Sequence, residues 1–303
     1  MRKLISLICG LLLAAGASPA FSYDEVSVQN GGTLSGTIAL SGAVPKPKGY
    51  NLVTFPDPVY CGRISDGQGW RLLPTFRASS DGGLADVVIV IEGIDRGKPF
   101  AAAAPRIEAI DCLFKPGVTV VRDRAPVEVI NMDPVMHDIQ AYETSELGPR
   151  VLFNVPLPMN PHHPREASMS AQYHRHLPGE PMRQIVKMTK GRKGFVMQCG
   201  FHAYMESWGL AVDNPYYAIT DASGRFSIPD IPPGTYAVTI WHPRIGSRQS
   251  TITIAEGGAA TLSMSLEAPT GRLYANEAMD NPRFGLAIMG DAKIVPTVER
   301  QRP

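Results

Sequence analysis

The hydrophobic positions of this chain come in short bursts. Runs rich in Val and Ile at 33–40, 85–92, 118–122, 127–132, 137–142, 184–188, 195–199 and 208–212 are separated by Gly, Pro and Asp turns, and such runs between turn residues read as β-strands. No stretch repeats its apolar residues at helical spacing over the length of a stable helix. Short, evenly spaced strands predict an all-β chain folded as a Greek-key sandwich or barrel. Past Asp213-Asn214-Pro215 the texture tightens. Segments 216–220, 225–228, 235–241, 250–254 and 261–266 read as a meander, with turns at Asp221-Ala222-Ser223-Gly224 and Pro232-Pro233-Gly234. A domain boundary is expected near residue 213, giving a first unit over 23–212, a second over 213–268 and an extended tail over 269–303.

The first residues follow a different logic. Arg2 and Lys3 precede an apolar run over 4–15 and then the small-residue stretch Gly16-Ala17-Ser18-Pro19-Ala20-Phe21-Ser22. Basic, apolar and small residues in that order make a secretory signal peptide, expected over 1–22 with cleavage after Ser22 or Ala20. The apolar run is shorter than the roughly 20 residues of a membrane-spanning helix, and no later segment reaches that length. The expected location is periplasmic or secreted. The 29 Gly and 27 Pro among 303 residues are not tandemly repeated, which excludes collagen-like and low-complexity chains. A formal net charge of +1 gives no electrostatic ground for a nucleic-acid partner.

Cysteine usage sharpens the picture. Cys9 would leave with the leader, so Cys61, Cys112 and Cys199 remain. An odd number in an oxidising compartment predicts one disulfide and one thiol kept for another purpose. Cys61 and Cys112 sit in turn-like contexts without ligand-type neighbours and are the better disulfide pair. Cys199 instead opens Cys199-Gly200-Phe201-His202-Ala203-Tyr204-Met205, directly after a predicted strand. A thiolate, an imidazole three residues on and a thioether three beyond can reach one point if the cysteine ends a strand and the turn carries the other two. His137, just after the apolar strand 127–132, can supply a second imidazole from a neighbouring sheet edge. Two His, one Cys and a weak axial Met make a blue-copper donor set, soft enough to suit copper. Set against this are a disulfide through Cys199, Met205 as core filler, a loop role for His137, a surface or packed role for His202, and a zinc site, which the Met argues against.

The motif Cys199-x-x-His202-x-x-Met205 with upstream His137 resembles the cupredoxin family, with a short ligand loop similar to that of amicyanin. The stretches 131–142, 198–212 and 214–242 resemble secreted bacterial proteins, some labelled methylamine utilisation proteins, in which a plastocyanin-like domain is fused to a carboxypeptidase-regulatory-like (transthyretin-like) domain. The resemblance implies a cupredoxin-like Greek-key sandwich followed by a small transthyretin-like β-sandwich. It also implies one type 1 copper on His137, Cys199, His202 and Met205, with Asn131 and Asp138 in the surroundings. Many cupredoxins have Asn where this chain has Asp138, and a carboxylate accepts hydrogen bonds without donating them.

An insert over 145–193 separates the two halves of the ligand set. It contains His162, His163, His174 and His176, a possible second metal site or docking surface if it is not simply a solvated loop. His242, at the end of a predicted strand, reads as structural. There is no phosphate-binding loop, no His-Glu-x-x-His and no Gly-x-Ser-x-Gly. The resulting expectation is a one-electron carrier and not an enzyme, working with a redox partner protein. The alternatives are copper carriage or delivery, a metal-free interaction or carbohydrate-binding β-sandwich, and a copper enzyme with a further imidazole site.

Overall fold

The structure, a computed structural model, describes residues 23–144, 149–163, 176–189 and 191–274. The expected leader with Cys9, His174 and most of the tail lie outside the described residues. The protein is all-β. Among the described residues, helix is confined to single turns at Leu52–Thr54, Pro58–Cys61 and Gly62–Ile64.

Two sheets enclose the first core. One has five strands in the spatial order Arg150–Leu157, His137–Glu143, Gly194–Gln198, Glu206–Val212 and Val118–Arg122. The other has four, in the order Met182–Ile185, Pro126–Asn131, Arg106–Ala109 and Phe114–Lys115. Along His137–Glu143 every second residue is buried, so Ile139 and Ala141 face inward while Asp138 and Gln140 stay at the surface. Ile107, Val127 and Val129 from one sheet meet Ile139, Phe195 and Met197 from the other. Phe195 lies so close to Gly209 on the next strand that any side chain at 209 would run into its ring.

The insert is more than a loop. Arg150–Leu157 pairs antiparallel with His137–Glu143, and Met182–Ile185 pairs antiparallel with Pro126–Asn131, so the insert supplies an edge strand to each sheet. The first of these escapes a sequence reading because its burial is sparse, with only Phe153 and Leu157 buried.

The second core departs from the expected boundary. Its sheets are Tyr217–Ile219, Val88–Ile91, Gly234–His242 and Gly246–Ile254 against Arg225–Ile231, Gly32–Ser41 and Ala259–Glu267. Gly32–Ser41 runs parallel to Ala259–Glu267 over its whole length, and Val88–Ile91 is flanked by two C-terminal strands. Where a cut near 213 assigns 23–212 to one unit, the pairing places two N-terminal strands in the other. The expected meander is likewise replaced by one hairpin, Gly234–His242 with Gly246–Ile254, and strands that pair across the chain. Val88–Ile91 is buried on both faces. Ile89 and Ile91 enter the second core, while Val88 and Val90 join Trp241 against Val118, Val120, Leu210 and Val212 of the first sandwich. An unbroken apolar run is what a strand covered on both sides requires.

Cys61 and Cys112 form a disulfide across 51 residues, as the cysteine contexts suggested. Closing a loop of this size stabilises by about 4 kcal/mol in the chain-entropy account. Equilibrium unfolding in guanidinium should therefore show the Cys61→Ser/Cys112→Ser protein less stable by about that amount.

His242 is 1% exposed, stacks on Phe76 with ring centroids 5.0 Å apart, and accepts the Arg244 N–H at Nδ1. Burial pushes its pKa down to about 4. The unfolded imidazole takes up its proton near pH 6.5 and the folded one only near 4, so stability falls as pH drops through that window, by about 3 kcal/mol in full. The slope between pH 6.5 and 4 should shrink by about one proton in His242→Phe, measured by denaturant unfolding at stepped pH.

Candidate metal centre

The Pro126–Asn131 strand ends in one sheet and His137–Glu143 begins in the other, so the turn over 132–136 crosses the sandwich and delivers His137 to its edge. Gly194–Gln198 lies beside His137–Glu143, and Cys199 is the first residue past its end. The return to Glu206–Val212 is tight. Cys199 donates its backbone N–H to the Met205 carbonyl (3.1 Å) and Met205 to that of His202 (2.8 Å). His137, His202 and Met205 are 0% exposed and Cys199 is 1% exposed.

Three donor atoms converge. His137 Nδ1 and His202 Nδ1 are 3.2 Å apart, and Cys199 Sγ lies 3.9 Å from the first and 3.7 Å from the second. The point in their plane equidistant from all three lies about 2.1 Å from each, matching metal–imidazole and approaching metal–thiolate bond lengths. The sequence-predicted Cys and two His are therefore gathered at one point. Met205 packs in the same core cluster as Cys199, beside Met197 and Tyr204.

The outer nitrogens explain why the inner ones are free to bind. His202 Nε2 faces the Pro56 carbonyl at 3.0 Å, an acceptor only, which places the ring proton there. His137 Nε2 lies 3.0 Å from Asp133 Oδ2. The Asp133 carboxylate is fully buried and also accepts from Tyr60 Oη and from the Asp111 and Cys112 amides, so it serves as acceptor to His137 as well. Both Nδ1 lone pairs then point at each other and at sulfur. One thiol proton can satisfy only one of them; a cation satisfies all three donors. Orienting the outer nitrogen through carboxylate or carbonyl is how imidazole ligands are fixed at metal sites.

Electrostatics agree. Burial pushes the Cys199 thiol up to about 11, against the pull of backbone amides at Asp138, Phe201 and His202. Burial and the neighbouring His137 lower the His202 pKa and keep that ring neutral. A metal ion deprotonates a coordinating thiol outright.

Asp138 ties the ligand segments together as an acceptor. One oxygen takes the Gly200 N–H and the other the Gln140 amide. A side chain at 200 would press on the ends of the Asp138 and Gln140 side chains and disturb this link. Asn131 accepts the Asp133 N–H and donates to the Val135 and Pro158 carbonyls, shaping the turn before His137. Asp133 and Pro56 were not anticipated. Asp133 carried a signal, standing four residues before His137 in an Asp-Pro turn, whereas Pro56 carried none.

Of the insert histidines, His163 and His176 lie with rings 5.4 Å apart. His176 spans the Asp111 carboxylate and the Met132 carbonyl, each at 3.1 Å. Burial opposes its protonation, but Asp111, the carbonyl and Asp133 outweigh that and raise its pKa. His162 donates its backbone N–H to Asn160. Among the described residues these histidines form no group of three at ligand spacing.

Residues 204–262 match the family model described as polysaccharide lyase family 4, domain II, rather than a carboxypeptidase-regulatory-like model. No curated protein matches the chain. Among solved structures it is similar to a purple cupredoxin from Nitrosopumilus maritimus (15% identity, 36% of this chain and 99% of that one, TM-score 0.25). It is also similar to amicyanin from Paracoccus versutus (12%, 41% and 97%, 0.22). A third is the copper-containing nitrite reductase from Thermus scotoductus (16%, 39% and 24%, 0.25). At scores this low the likenesses bear no weight, and the functional reading rests on the donor set.

Replacing Asp133 with Asn removes an acceptor from His137 and leaves its amide facing backbone donors. Affinity for a metal ion, measured by chelator competition, should fall about 10- to 100-fold.

Proposed function

We propose that this protein is exported and holds one copper ion on His137, Cys199 and His202, with Met205 as a weak fourth donor, for one-electron transfer to and from a partner protein. The observation that carries this reading is the triangle of Nδ1, Nδ1 and Sγ, whose centre lies about 2.1 Å from each atom. Copper supplies a one-electron couple, and thiolate with imidazole suits both of its oxidation states.

The chain's residues hold the donors still. His137 and Cys199 sit at the ends of hydrogen-bonded neighbouring strands, and Asp138 links one ligand segment to the other. Asp133 and Pro56 fix the two rings. Donors that cannot relax keep the rearrangement between oxidation states small. Full burial keeps water out of the set and strengthens every charge interaction in it. With Met205 as fourth donor no position is left for a substrate, which favours a carrier over an enzyme. The basic, apolar and small-residue order of residues 2–22 supports export, and among the described residues no helix is long and apolar enough to cross a membrane.

Titration of the purified protein with Cu(II) should give one equivalent and an intense thiolate-to-copper absorption band. Cys199→Ser should abolish the band; a coloured Cys199→Ser protein would remove the proposed centre. Met205→Leu should keep copper and colour and raise the reduction potential, because losing the axial donor disfavours Cu(II). Direct voltammetry of the two proteins reads the shift.

A further inference from the structure

The disulfide is set against the outer edges of both imidazoles. Cys61 Sγ lies 3.7 Å from His202 Nε2, the same separation that Cys199 Sγ keeps from Nδ1 on the other side of the ring. Cys112 Sγ falls within 4.8 Å of ligand atoms of Asp133 and His137. A disulfide that only stapled the chain could join any two surface loops. Here both sulfurs are buried at 1% exposure or less, beside two imidazoles and a buried carboxylate.

Each cysteine is also held independently of the bond between them. Cys112 and Asp111 donate their backbone N–H groups to the two oxygens of Asp133, and this keeps both residues in the left-handed region at φ 50 and 52. A non-glycine residue adopts that conformation only when its surroundings impose it. Cys61 lies in the turn Pro58–Cys61, anchored by its N–H to Asp57 O and by the Tyr60 hydroxyl to the same Asp133 carboxylate. Opening the disulfide therefore leaves two thiols facing each other in a dry, acidic pocket.

We propose that the dithiol form, in which the chain is synthesised, has a second metal site that takes one soft monovalent cation, Cu(I), between Cys61 and Cys112, next to His202 Nε2 and Asp133. Two thiolates are a soft donor set whose charge more than offsets that of a monovalent ion, and His202 Nε2–H lies beside Cys61 Sγ. Binding releases both thiol protons to solvent. In the purified protein the site is opened by a dithiol reductant, which gives two electrons and two protons to the Cys61–Cys112 bond and leaves as its own cyclic disulfide. Oxidation closes the site while the Cys199 site is untouched. The inference does not depend on the Cys199 centre being loaded.

The test is anaerobic Cu(I) titration of the full chain against a chromophoric chelator, after reduction with dithiothreitol and desalting, with Cys199→Ser and Cys61→Ser/Cys112→Ser run alongside. The reduced protein should hold two equivalents and the oxidised protein one, a twofold change. Reduced Cys199→Ser should hold one equivalent and oxidised Cys199→Ser none, which separates this site from the first. The double-serine protein should hold one in either state. One equivalent in reduced wild type overturns the proposal. So does a second equivalent that survives in the double-serine protein, or one held equally tightly in guanidinium well past the unfolding midpoint, since the last would come from unfolded thiols.

Discussion

A single buried carboxylate organises this end of the first sandwich. Asp133 receives the Tyr60 hydroxyl, two successive amides at Asp111 and Cys112, and the outer nitrogen of His137. Those donors come from three separate stretches of chain. An acceptor-only group with no solvent exposure carries a large desolvation cost unless its lone pairs are filled, and here four donors fill them. The cost is turned into geometry. Tyr60 holds the segment that covers His202, the 111–112 amides hold Cys112, and His137 is fixed in the tautomer that leaves Nδ1 for a ligand. One group thus anchors the donor triangle, its cover and the segment that carries Cys112.

The second constraint is Val88–Ile91. Its residues alternate between two cores, Ile89 and Ile91 into one and Val88 and Val90 into the seam with the other. Trp241 packs into that seam from the Gly234–His242 strand, opposite Val118 and Val120. The strand carrying Val118 and Val120 runs beside Glu206–Val212, which continues from the ligand turn. The second sandwich is thereby packed against the sheet that carries His137 and leads into Cys199. Its strands come from both ends of the described chain, so it does not close until Gly32–Ser41 meets Ala259–Glu267.

How much of this was legible in the sequence depended on how local each signal was. Strand runs at 118–122, 137–142 and 195–199 announced themselves as apolar residues between turns, and the Cys199 and His202 spacing placed two of the gathered donors within one turn of chain. His137 could be chosen because it follows a strand. What was hidden is non-local. Parallel pairing of Gly32–Ser41 with Ala259–Glu267 spans more than two hundred residues and leaves no periodic trace, so a boundary drawn where the texture changes missed it. Arg150–Leu157, an edge strand with two buried residues, lacked the alternation that marks a strand. Pro56 acts through its carbonyl, which every residue has, so no residue type could have pointed to it.

The cover over His202 bears on how such a centre would exchange electrons. With the ring 0% exposed and its outer nitrogen bonded to Pro56, no imidazole edge of that residue reaches solvent. Electrons can cross a packed protein layer, because transfer needs electronic overlap and little motion. A metal ion cannot, because it must break three donor bonds and pass a segment pinned by the disulfide and by Tyr60. Burial that blocks the ion but not the electron separates the two traffics physically. A carrier that must keep its metal through many redox cycles is served by that arrangement, and a protein that must hand its metal on is hindered by it. For delivery to occur at the Cys199 centre, the cover would first have to open.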